Sequence, residues 1–409
     1  MPEHRVVTQN IGKIDPREIT SCLDHEGFAA LQKARDEMPP ERIIEEVKAS
    51  GLRGRGGAGF NCGLKWELAR NAGAKETFLI VNADEGDVGT FKDRFLLEND
   101  PFSLIEGMAI AGYALGAKTA YLYLRAEYHY LVENVLTALN QAEEHGFLTD
   151  LEVRVMEGAG AYICGEESAL MNSIEGLRGE ARFKPPFPQE SGLWQSPTII
   201  NNVETLMNVP RIILNGSAWF SGIGTENSKG TKLFSVSGDV ARPGVYEMVM
   251  GSSLKELVLD LAEASEVKLV QLGGASGRII PADRLDTPLS YETMLGSGAV
   301  TVFNQTRDVL DIVHRSIEFL AGESCGKCAP CREGTEAMME ILGRLTRGEG
   351  RAADIGALED LSSAMADSSL CGLGQSAPTP VMDTLKHFRK EYDNRIEQSQ
   401  ILRRLGSFH

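Results

Sequence analysis

The sequence lacks long apolar runs, blocks of basic residues and any abundance of cysteine. Its most apolar stretch, MAIAGYALGA at 108–117, lies between Glu106 and Lys118 and is too short to cross a bilayer, so we expect no direct membrane insertion. The chain has 41 Lys and Arg against 58 Asp and Glu, and its net charge of −17 disfavours nucleic acid as a partner. The N-terminal MPEHRVVTQN has no basic or apolar segment of a secretory signal, and we expect a cytoplasmic protein.

Cysteine is scarce but clustered. The seven cysteines are an odd number and do not resemble a disulfide framework in 409 residues. Three of them, Cys325, Cys328 and Cys331, fall in ESCGKCAPCREGT. CxxCxxC favours one compact iron–sulfur cluster over the two separated CxxC pairs of a structural zinc site. The fourth ligand must be distant, and only Cys371, in SSLCGLGQSAP, belongs to the same helical region.

Two other uses of these cysteines stay open at this point. A structural zinc site with the same four ligands and a reactive dithiol at CAPC both fit the residue types. Glycines 372 and 374 would let backbone N–H groups approach the sulfurs of a cluster. The other three cysteines are expected to be buried or partly buried thiols: Cys22, Cys62 and Cys164.

The periodicity of apolar residues divides the chain into three regions. Strand and helix patterns alternate through the first half, which predicts an α/β fold with a largely parallel sheet. Residues 231–303 predict a small mixed sheet with one helix, and helical patterns near 307–321, 333–347, 355–366 and 379–404 predict a bundle. We predict domains at 1–228, 229–305 and 306–409.

A glycine-rich loop, GRGGAG at 54–59, fits GxGxxG. It follows a predicted helix instead of a strand, so the dinucleotide fingerprint does not apply. Consecutive glycines still expose backbone N–H groups and leave room for a flat or anionic ligand. Arg53, Arg55 and Lys65 add positive charge nearby, unless they are solvated surface residues.

Three further polar turns follow predicted strands: NADEGD (82–87), GAGAYICGEES (158–168) and NNVET (201–205). Ligands bind beyond the carboxyl ends of strands in open α/β sheets, so we expect these turns to meet at one pocket. Adjacent carboxylates at Glu166 and Glu167 could instead be a solvated helix start. Asn201, Asn202 and Thr205 could hold phosphate or ribose.

Seven ordered motifs resemble one family across residues 5–400: GLRGRGGAGF, GLKW, GAGAYICGEE, FKPPFP, NNVET, ESCGKCAPCREGT and CGLG. The family is the NADH-binding flavoprotein subunit of respiratory complex I, with its relatives in soluble NAD-coupled hydrogenases and formate dehydrogenases. The resemblance implies a Rossmann-like α/β domain for FMN, a ubiquitin-like (SLBB-like) β-grasp domain and a four-helix bundle with a 4Fe-4S cluster.

The resemblance also implies site residues. It places FMN against Gly54, Arg55, Gly56, Gly57, Lys65, Asn82, Asp84, Glu85, Tyr162, Gly165, Glu166, Asn201, Asn202 and Thr205. It places NAD(H) near Phe60, Asp87, Glu167, Lys184 and Phe187. The cluster ligands match at Cys325, Cys328, Cys331 and Cys371.

The implied activity is that of an NADH dehydrogenase or diaphorase: hydride transfer between NADH and FMN, then single electrons through the cluster to a partner. Catalysis would reside on FMN, with Glu166 and Glu167 as orienting groups. The expected partners are a thioredoxin-like 2Fe-2S subunit and further iron–sulfur or catalytic subunits. Asp87 replaces a glutamate and Leu68 an aromatic residue of complex I members, so a relay module that binds FMN but no nicotinamide is the alternative function.

Overall fold

The computed structural model describes residues 4–406, with side chains to residue 401. The first half contains helices and strands in alternation, followed by a region of short strands and a helical C-terminal region. The strands are β1 (Phe78–Ala83), β2 (Thr119–Leu124), β3 (Glu152–Glu157), β4 (Thr198–Asn202), β5 (Thr231–Gly238), β6 (Gly244–Val249), β7 (Val267–Leu272), β8 (Arg278–Pro281) and β9 (Ala299–Asn304).

The α-helices before the second sheet are α1 (Ile19–Leu23), α2 (Ala29–Glu37), α3 (Pro40–Ala49), α4 (Cys62–Asn71), α5 (Lys92–Asn99), α6 (Pro101–Leu115), α7 (Val132–Glu144), α8 (Glu167–Ile174), α9 (Val203–Asn215) and α10 (Ser217–Ser221). Those after it are α11 (Val309–Gly322), α12 (Ala329–Thr346), α13 (Ala353–Ser368), α14 (Gly372–Ser376), α15 (Thr379–His387) and α16 (Arg389–Gly406). None of the helices in residues 4–406 is long and apolar enough to cross a membrane.

The first sheet has four parallel strands in the order β3-β2-β1-β4. β1 and β2 are apolar on both faces and buried, whereas β3, the edge strand, alternates exposed charges with half-buried valines. The chain moves from β1 to β2 on one side and returns to β4 on the other. This makes the carboxyl ends of β1 and β4 a topological switch point, where open α/β sheets bind ligands.

Helix α6 is the central support of this sheet. Asp100 caps it by accepting from the Ser103 amide at 3.0 Å, and Gly116 ends it with φ of +68°. Every residue of α6 except Tyr113 is buried, so the helix is apolar on all sides and has no solvent face. At Gly107 it lies so close to α9 that a Cβ would collide with the carbonyl oxygen of Leu206.

The second sheet is mixed, with five strands in the order β6-β5-β9-β7-β8. Helix α12 is the centre of the C-terminal region and contacts α11, α13, α14 and α16, while α11 buries one apolar face. The predicted fold class is confirmed: a parallel α/β unit, a small mixed sheet and a helical region. The domain boundaries stay predictions.

Three details differ from the sequence-based expectation. The predicted helix at 379–404 is two helices, α15 and α16, which are separated at Phe388. Helix α12 begins at Ala329 with Pro330 in its first turn, so Cys331 lies on the helix and not in the connection before it. Strand β8 has no counterpart in the sequence-based expectation because it is only four residues long.

The contact between α6 and α9 predicts opposite effects for two Gly→Ala substitutions. Gly107→Ala should lower the free energy of unfolding by about 1–3 kcal/mol, because the added methyl group overpacks a rigid backbone contact. The matched control is Gly356→Ala on α13, which is exposed and where an added Cβ would have nothing within 4 Å. It should raise that free energy by about 0.5–1 kcal/mol through helix propensity. Denaturant titrations of both variants measure the free energy of unfolding. If both substitutions changed it in the same direction, the packing argument would be contradicted.

Candidate functional site

The carboxyl ends of β1 and β4 carry polar side chains that are held by neighbouring segments. Asn82 donates through Nδ2 to the Gly165 carbonyl at 2.9 Å and accepts from the Asp84 amide at 3.0 Å. Asn201 accepts from the indole of the fully buried Trp66 at 2.8 Å. The turn after β1, the turn before α8 and the end of β4 therefore meet at one edge of the sheet, as expected from the sequence.

The glycine loop joins them at the start of α9. Asn202 caps this helix by accepting from the Glu204 amide at 3.0 Å. A Cβ at Gly56 would stand 3.0 Å from the Asn202 Cβ, so the loop backbone lies directly on this side chain. The Arg55 amide donates to Thr205 Oγ1 at 2.8 Å. The loop keeps an accessible side, because Gly56 is exposed and Gly54 and Gly57 are only partly buried.

The side chain of Arg55 is fully buried, so its interpretation as a solvated surface charge is wrong. Its guanidinium donates to the carbonyls of Thr231 at 3.0 Å and Lys229 at 2.6 Å, and to the Tyr291 hydroxyl at 2.7 Å. These partners belong to the second sheet and its loops. The side chain of Arg55 therefore joins the glycine loop to the second sheet and does not face a ligand.

The three acids of the turn after β1 have different environments. Glu85 accepts from the amides of Asp93 and Arg94 at 2.9 and 3.1 Å, so it caps α5 from within the protein. Asp87 accepts from the Ser297 hydroxyl at 2.6 Å and the Ala275 amide at 3.2 Å. The Oδ2 atom of Asp84 is buried without a hydrogen-bond partner among the described residues, and burial raises its pKa to about 7.

An ion-pair group lines the next part of the edge. Glu167 accepts from Lys65 and from Lys184 at 3.0 Å each, and these two cations lower its pKa to about 2 against the effect of burial. Lys184 also pairs with Glu166 at 2.8 Å. The other oxygen of Glu166 accepts from the Ser168 and Ala169 amides, so this residue is the N-cap of α8. The two carboxylates are not a merely solvated helix start.

The remaining predicted nucleotide contacts are aromatic. Phe60 and Phe187 are 48% and 43% exposed, which is uncommon for phenylalanine in a region of buried polar groups. Tyr162 lies behind the Asp84 turn: its amide donates to Glu323 at 2.9 Å and its ring contacts Phe319 edge-on. Leu68 is 43% exposed.

This edge fits a flavin nucleotide. A neutral isoalloxazine ring presents an N–H donor, and Asp84 Oδ2 is an unpaired buried acceptor. A Cβ at Gly165 would stand 3.5 Å from that oxygen, so the glycine leaves the approach to it open. The backbone of the glycine loop lies at the same edge, where Gly56 is exposed, whereas the side chains of Asn201 and Asn202 are already hydrogen-bonded to Trp66 and Asp93.

The four predicted cluster ligands line one cavity. Cys325, Cys328, Cys331 and Cys371 surround it together with Ile163, Ala181 and Leu373. Within residues 4–406, no three His, Cys, Asp or Glu side chains are close enough to share one metal ion. Thiolates that each bind a different iron of a cluster stand further apart than those on one zinc ion, so the donor set fits a 4Fe-4S cluster.

Backbone groups complete this cavity. The amides of Leu373 and Gly374 donate to the Cys371 sulfur, although burial still raises the pKa of that thiol to about 11. A Cβ at Gly374 would stand 2.8 Å from the Cys331 Cβ, so only glycine allows α14 to pack here. The other three cysteines, Cys22, Cys62 and Cys164, are free and buried.

Sequence reasoning missed a buried ion network beneath the glycine loop. Lys92 pairs with Asp93 at 2.7 Å and with Glu204 at 3.0 Å, and Lys232 lies 3.7 Å from the same Glu204 carboxylate. All four side chains are at most 5% exposed. The position of Glu204 within NNVET was the only available signal, since nothing in the sequence pairs it with lysines so distant in the chain.

Protein-family models match the chain over the region of the sheet edge and over the region of the cysteine cavity. Residues 47–211 match the Complex1_51K family, described as the Nuo51 FMN-binding domain. Residues 311–395 match the NADH_4Fe-4S family, the iron–sulfur binding region of NADH-ubiquinone oxidoreductase F. The match to an iron–sulfur region sets the zinc alternative aside.

Two curated relatives match over most of their length. NADP-reducing hydrogenase subunit HndC of Solidesulfovibrio fructosivorans is 42% identical, over 97% of this chain and 84% of the relative. The F 2 subunit of the NADH-quinone oxidoreductase of Rhizobium meliloti (strain 1021) is 44% identical, over 96% and 98%. The crystal structure of an NAD+-reducing [NiFe]-hydrogenase in the H2-reduced state superposes with a TM-score of 0.87 at 42% identity. The match covers 92% of this chain but only 66% of that one.

The unpaired Asp84 predicts a gain in stability when its charge is removed. Its pKa is about 7 in the folded protein and near 3.8 when unfolded, so folding disfavours the ionised form. The FMN-free Asp84→Asn variant should therefore gain stability relative to the unsubstituted chain as the pH rises from about 4 to about 7, with a constant gain above. Denaturant titrations should show a gain of about 1–3 kcal/mol at pH 8, the usual penalty of a buried polar group without a partner.

A carboxylate with a cationic partner is the control for Asp84. Asp239 accepts from Arg307 at 2.6 Å, and this pairing lowers its pKa. Asp239→Asn should lose stability at pH 8 instead. If Asp84→Asn also lost stability there, Asp84 would have a partner in the folded protein and the argument for an open acceptor would fail.

Proposed function

Since the chain belongs to the family of NADH-quinone oxidoreductase F subunits and NAD(P)-reducing hydrogenase subunits, we propose that the edge at β1 and β4 binds FMN and a nicotinamide nucleotide and passes electrons to the four-cysteine cavity. The chain is an NADH dehydrogenase-type oxidoreductase with FMN and a 4Fe-4S cluster, and it belongs to a multi-subunit redox complex. Bound FMN supplies the conversion of a two-electron hydride into single electrons, which an iron–sulfur cluster requires.

One observation supports the path of electrons most directly. The segment 162–167 borders both the sheet edge and the cysteine cavity. The Gly165 carbonyl accepts a hydrogen bond from Asn82 at the sheet edge, and Ile163 lines the cavity. The Tyr162 amide donates a hydrogen bond to Glu323, and Glu323 precedes Cys325 by two residues in the sequence. A flavin at this edge and a cluster in the cavity would have one short segment of chain between them.

The residues of the edge would act by binding and orientation. The glycine loop, Asn201 and Asn202 would hold FMN, and the Asp84 carboxylate would accept a hydrogen bond from its ring. Lys65 and Lys184 hold Glu167 ionised at neutral pH, which leaves a fixed carboxylate to orient the nicotinamide nucleotide. The exposed Phe60 and Phe187 would cover its apolar faces and exclude water.

The partner would receive electrons at the cluster. We propose a thioredoxin-like subunit with a 2Fe-2S cluster, together with further iron–sulfur or catalytic subunits. Single electrons must leave the cavity, and its lining includes Cys325 and Cys328, which are only partly buried. Co-purification with sequencing of the bound chains tests this partner.

The nucleotide reaction predicts a change of colour. In an anaerobic cuvette, a slight excess of NADH should bleach the oxidised flavin band of the FMN-loaded, iron-replete chain within seconds. A parallel cuvette with NADPH reports the preference, which stays open because the relatives include an NADP-reducing hydrogenase subunit. If dithionite bleached the band and neither nucleotide did, the chain alone would be a flavin and iron–sulfur relay, and the proposed dehydrogenase activity of the isolated chain would be wrong.

The cluster ligands predict separable cofactors. Cys371→Ala should lose most of the iron and acid-labile sulfide while FMN remains bound, because Cys371 belongs to the helical region and not to the turns of the sheet edge. Cys22→Ala, at a buried cysteine in the core of the first unit, should retain the iron. Iron, sulfide and flavin analyses of both variants measure this. Full iron content in Cys371→Ala would remove Cys371 from the ligand set.

A further inference from the structure

Lys232 of the second sheet reaches into the glycine loop of the first unit. It lies on β5, is fully buried, and donates through Nζ to the Arg55 carbonyl at 2.9 Å and the Ser297 carbonyl at 3.2 Å. The Glu204 carboxylate stands 3.7 Å from the same nitrogen. Two carbonyls therefore accept hydrogen bonds from this ammonium group, and the nearby Glu204 carboxylate balances its charge from beyond hydrogen-bond distance.

The Arg55 peptide is held at both of its ends. Its amide donates to Thr205 Oγ1, and its carbonyl accepts from Lys232 at the back of the loop. The next two residues are Gly56 and Gly57, which have no side chains to hold them in place. These two hydrogen bonds fix the loop backbone at Arg55, together with the buried Arg55 guanidinium and the Tyr291 hydroxyl, which donates to the Gly54 carbonyl at 2.9 Å.

Ser297 extends the contact to the acidic turn. Its carbonyl accepts from Lys232, and its hydroxyl donates to Asp87 Oδ2 at 2.6 Å. The turn around it also packs on the loop, since a Cβ at Gly57 would stand 3.8 Å from Gly296. One turn of the second sheet thus touches the glycine loop, Lys232 and Asp87, all within the region proposed to bind FMN and the nicotinamide.

The charge on Lys232 is part of a buried group of two lysines and two carboxylates beside Arg55. Lys92 and Lys232 share the buried Glu204, and Asp93 pairs with Lys92. Removing one partner of a buried ion pair leaves an uncompensated charge, which is strongly unfavourable. Removing a cation and an anion together avoids that effect, and this allows stability to be separated from the hydrogen bond to the loop.

We propose that Lys232 is a positioning residue for the flavin site: it fixes the Arg55 peptide directly and Asp87 through Ser297. The second sheet then positions groups of the flavin site, in addition to connecting the first unit to the C-terminal helices. The proposal rests on the proposed binding of FMN at the glycine loop. It concerns residues that act through others, since Lys232 itself is enclosed by protein.

The test compares FMN binding to full-length chains that carry their cluster and have been depleted of flavin. Lys232→Met should raise the dissociation constant of FMN by roughly tenfold or more, the usual effect of losing a hydrogen bond to a charged group. The flavin that binds should have a lower midpoint potential, because a nearby positive charge favours reduction. The control is Lys268→Met on β7, a lysine of the same sheet paired with Glu391, which should change neither quantity.

A double variant separates positioning from folding. Lys232→Met with Glu204→Gln restores the charge balance, so its melting temperature should recover most of the loss in Lys232→Met, while FMN affinity stays low. Recovery of both together would overturn the proposal, because Lys232 would then act only on stability. Unchanged FMN affinity and potential in Lys232→Met would overturn it as well.

Ser297→Ala gives a second, milder test. Ser297 is half-buried, so its variant should fold, and loss of its hydroxyl leaves Asp87 with only the longer hydrogen bond from the Ala275 amide among the two described above. The KM for the nicotinamide nucleotide should rise several-fold with kcat nearly unchanged. An unchanged KM would overturn the part that concerns Asp87. If the unsubstituted chain itself failed to bind FMN, the proposed function would be wrong. If every variant bound FMN normally, only the role of Lys232 would be wrong.

Discussion

The structure depends on holding charged and polar groups at one edge of a sheet that is otherwise apolar. β1 and β2 are buried on both faces and α6 has no solvent face, so the polar groups that follow these strands gather at their carboxyl ends. The edge is stabilised by pairing: Lys65 and Lys184 with Glu167, and Lys92 and Lys232 with Glu204. Paired charges keep their places without water, which a site for hydride transfer requires.

The proposed flavin site and the cysteine cavity are neighbours because residues 162–167 border both. Gly165 is bonded at the sheet edge, and Ile163 lines the cysteine cavity. Contacts from the helical region hold this segment and the loop after α8: Glu323 accepts from the Tyr162 amide, and Lys327 donates to the Ala181 carbonyl at 2.7 Å. The helical region therefore fixes the spacing between the sites, and motion there would change the rate at which single electrons pass between them.

The sequence predicted the parts that depend on local pattern. Strand periodicity located β1, β2 and β3, and the cysteine spacing with Cys371 identified four residues that the structure gathers around one cavity. The sequence pattern could not predict which partner a buried charged side chain would pair with. Arg55 turns to the carbonyls of residues 229 and 231, and Lys232 turns to the carbonyl of Arg55, in contacts about 175 residues apart in the chain. Such choices follow from tertiary packing, on which composition and spacing give no information.

The acidic turn after β1 shows how far a motif alone can be interpreted. Glu85, Asp84 and Asp87 are all carboxylates within four residues, and the resemblance assigned all three to ligands. In the structure Glu85 caps α5 and Asp87 joins the second sheet, which leaves Asp84 as the carboxylate with an unpaired oxygen. An unpaired buried acceptor is unfavourable in the free protein, and a ligand N–H removes that penalty. Asp84, which lowers the stability of the free chain, is therefore the carboxylate best suited to bind the flavin. Its neighbours Glu85 and Asp87 hold the turn in place instead.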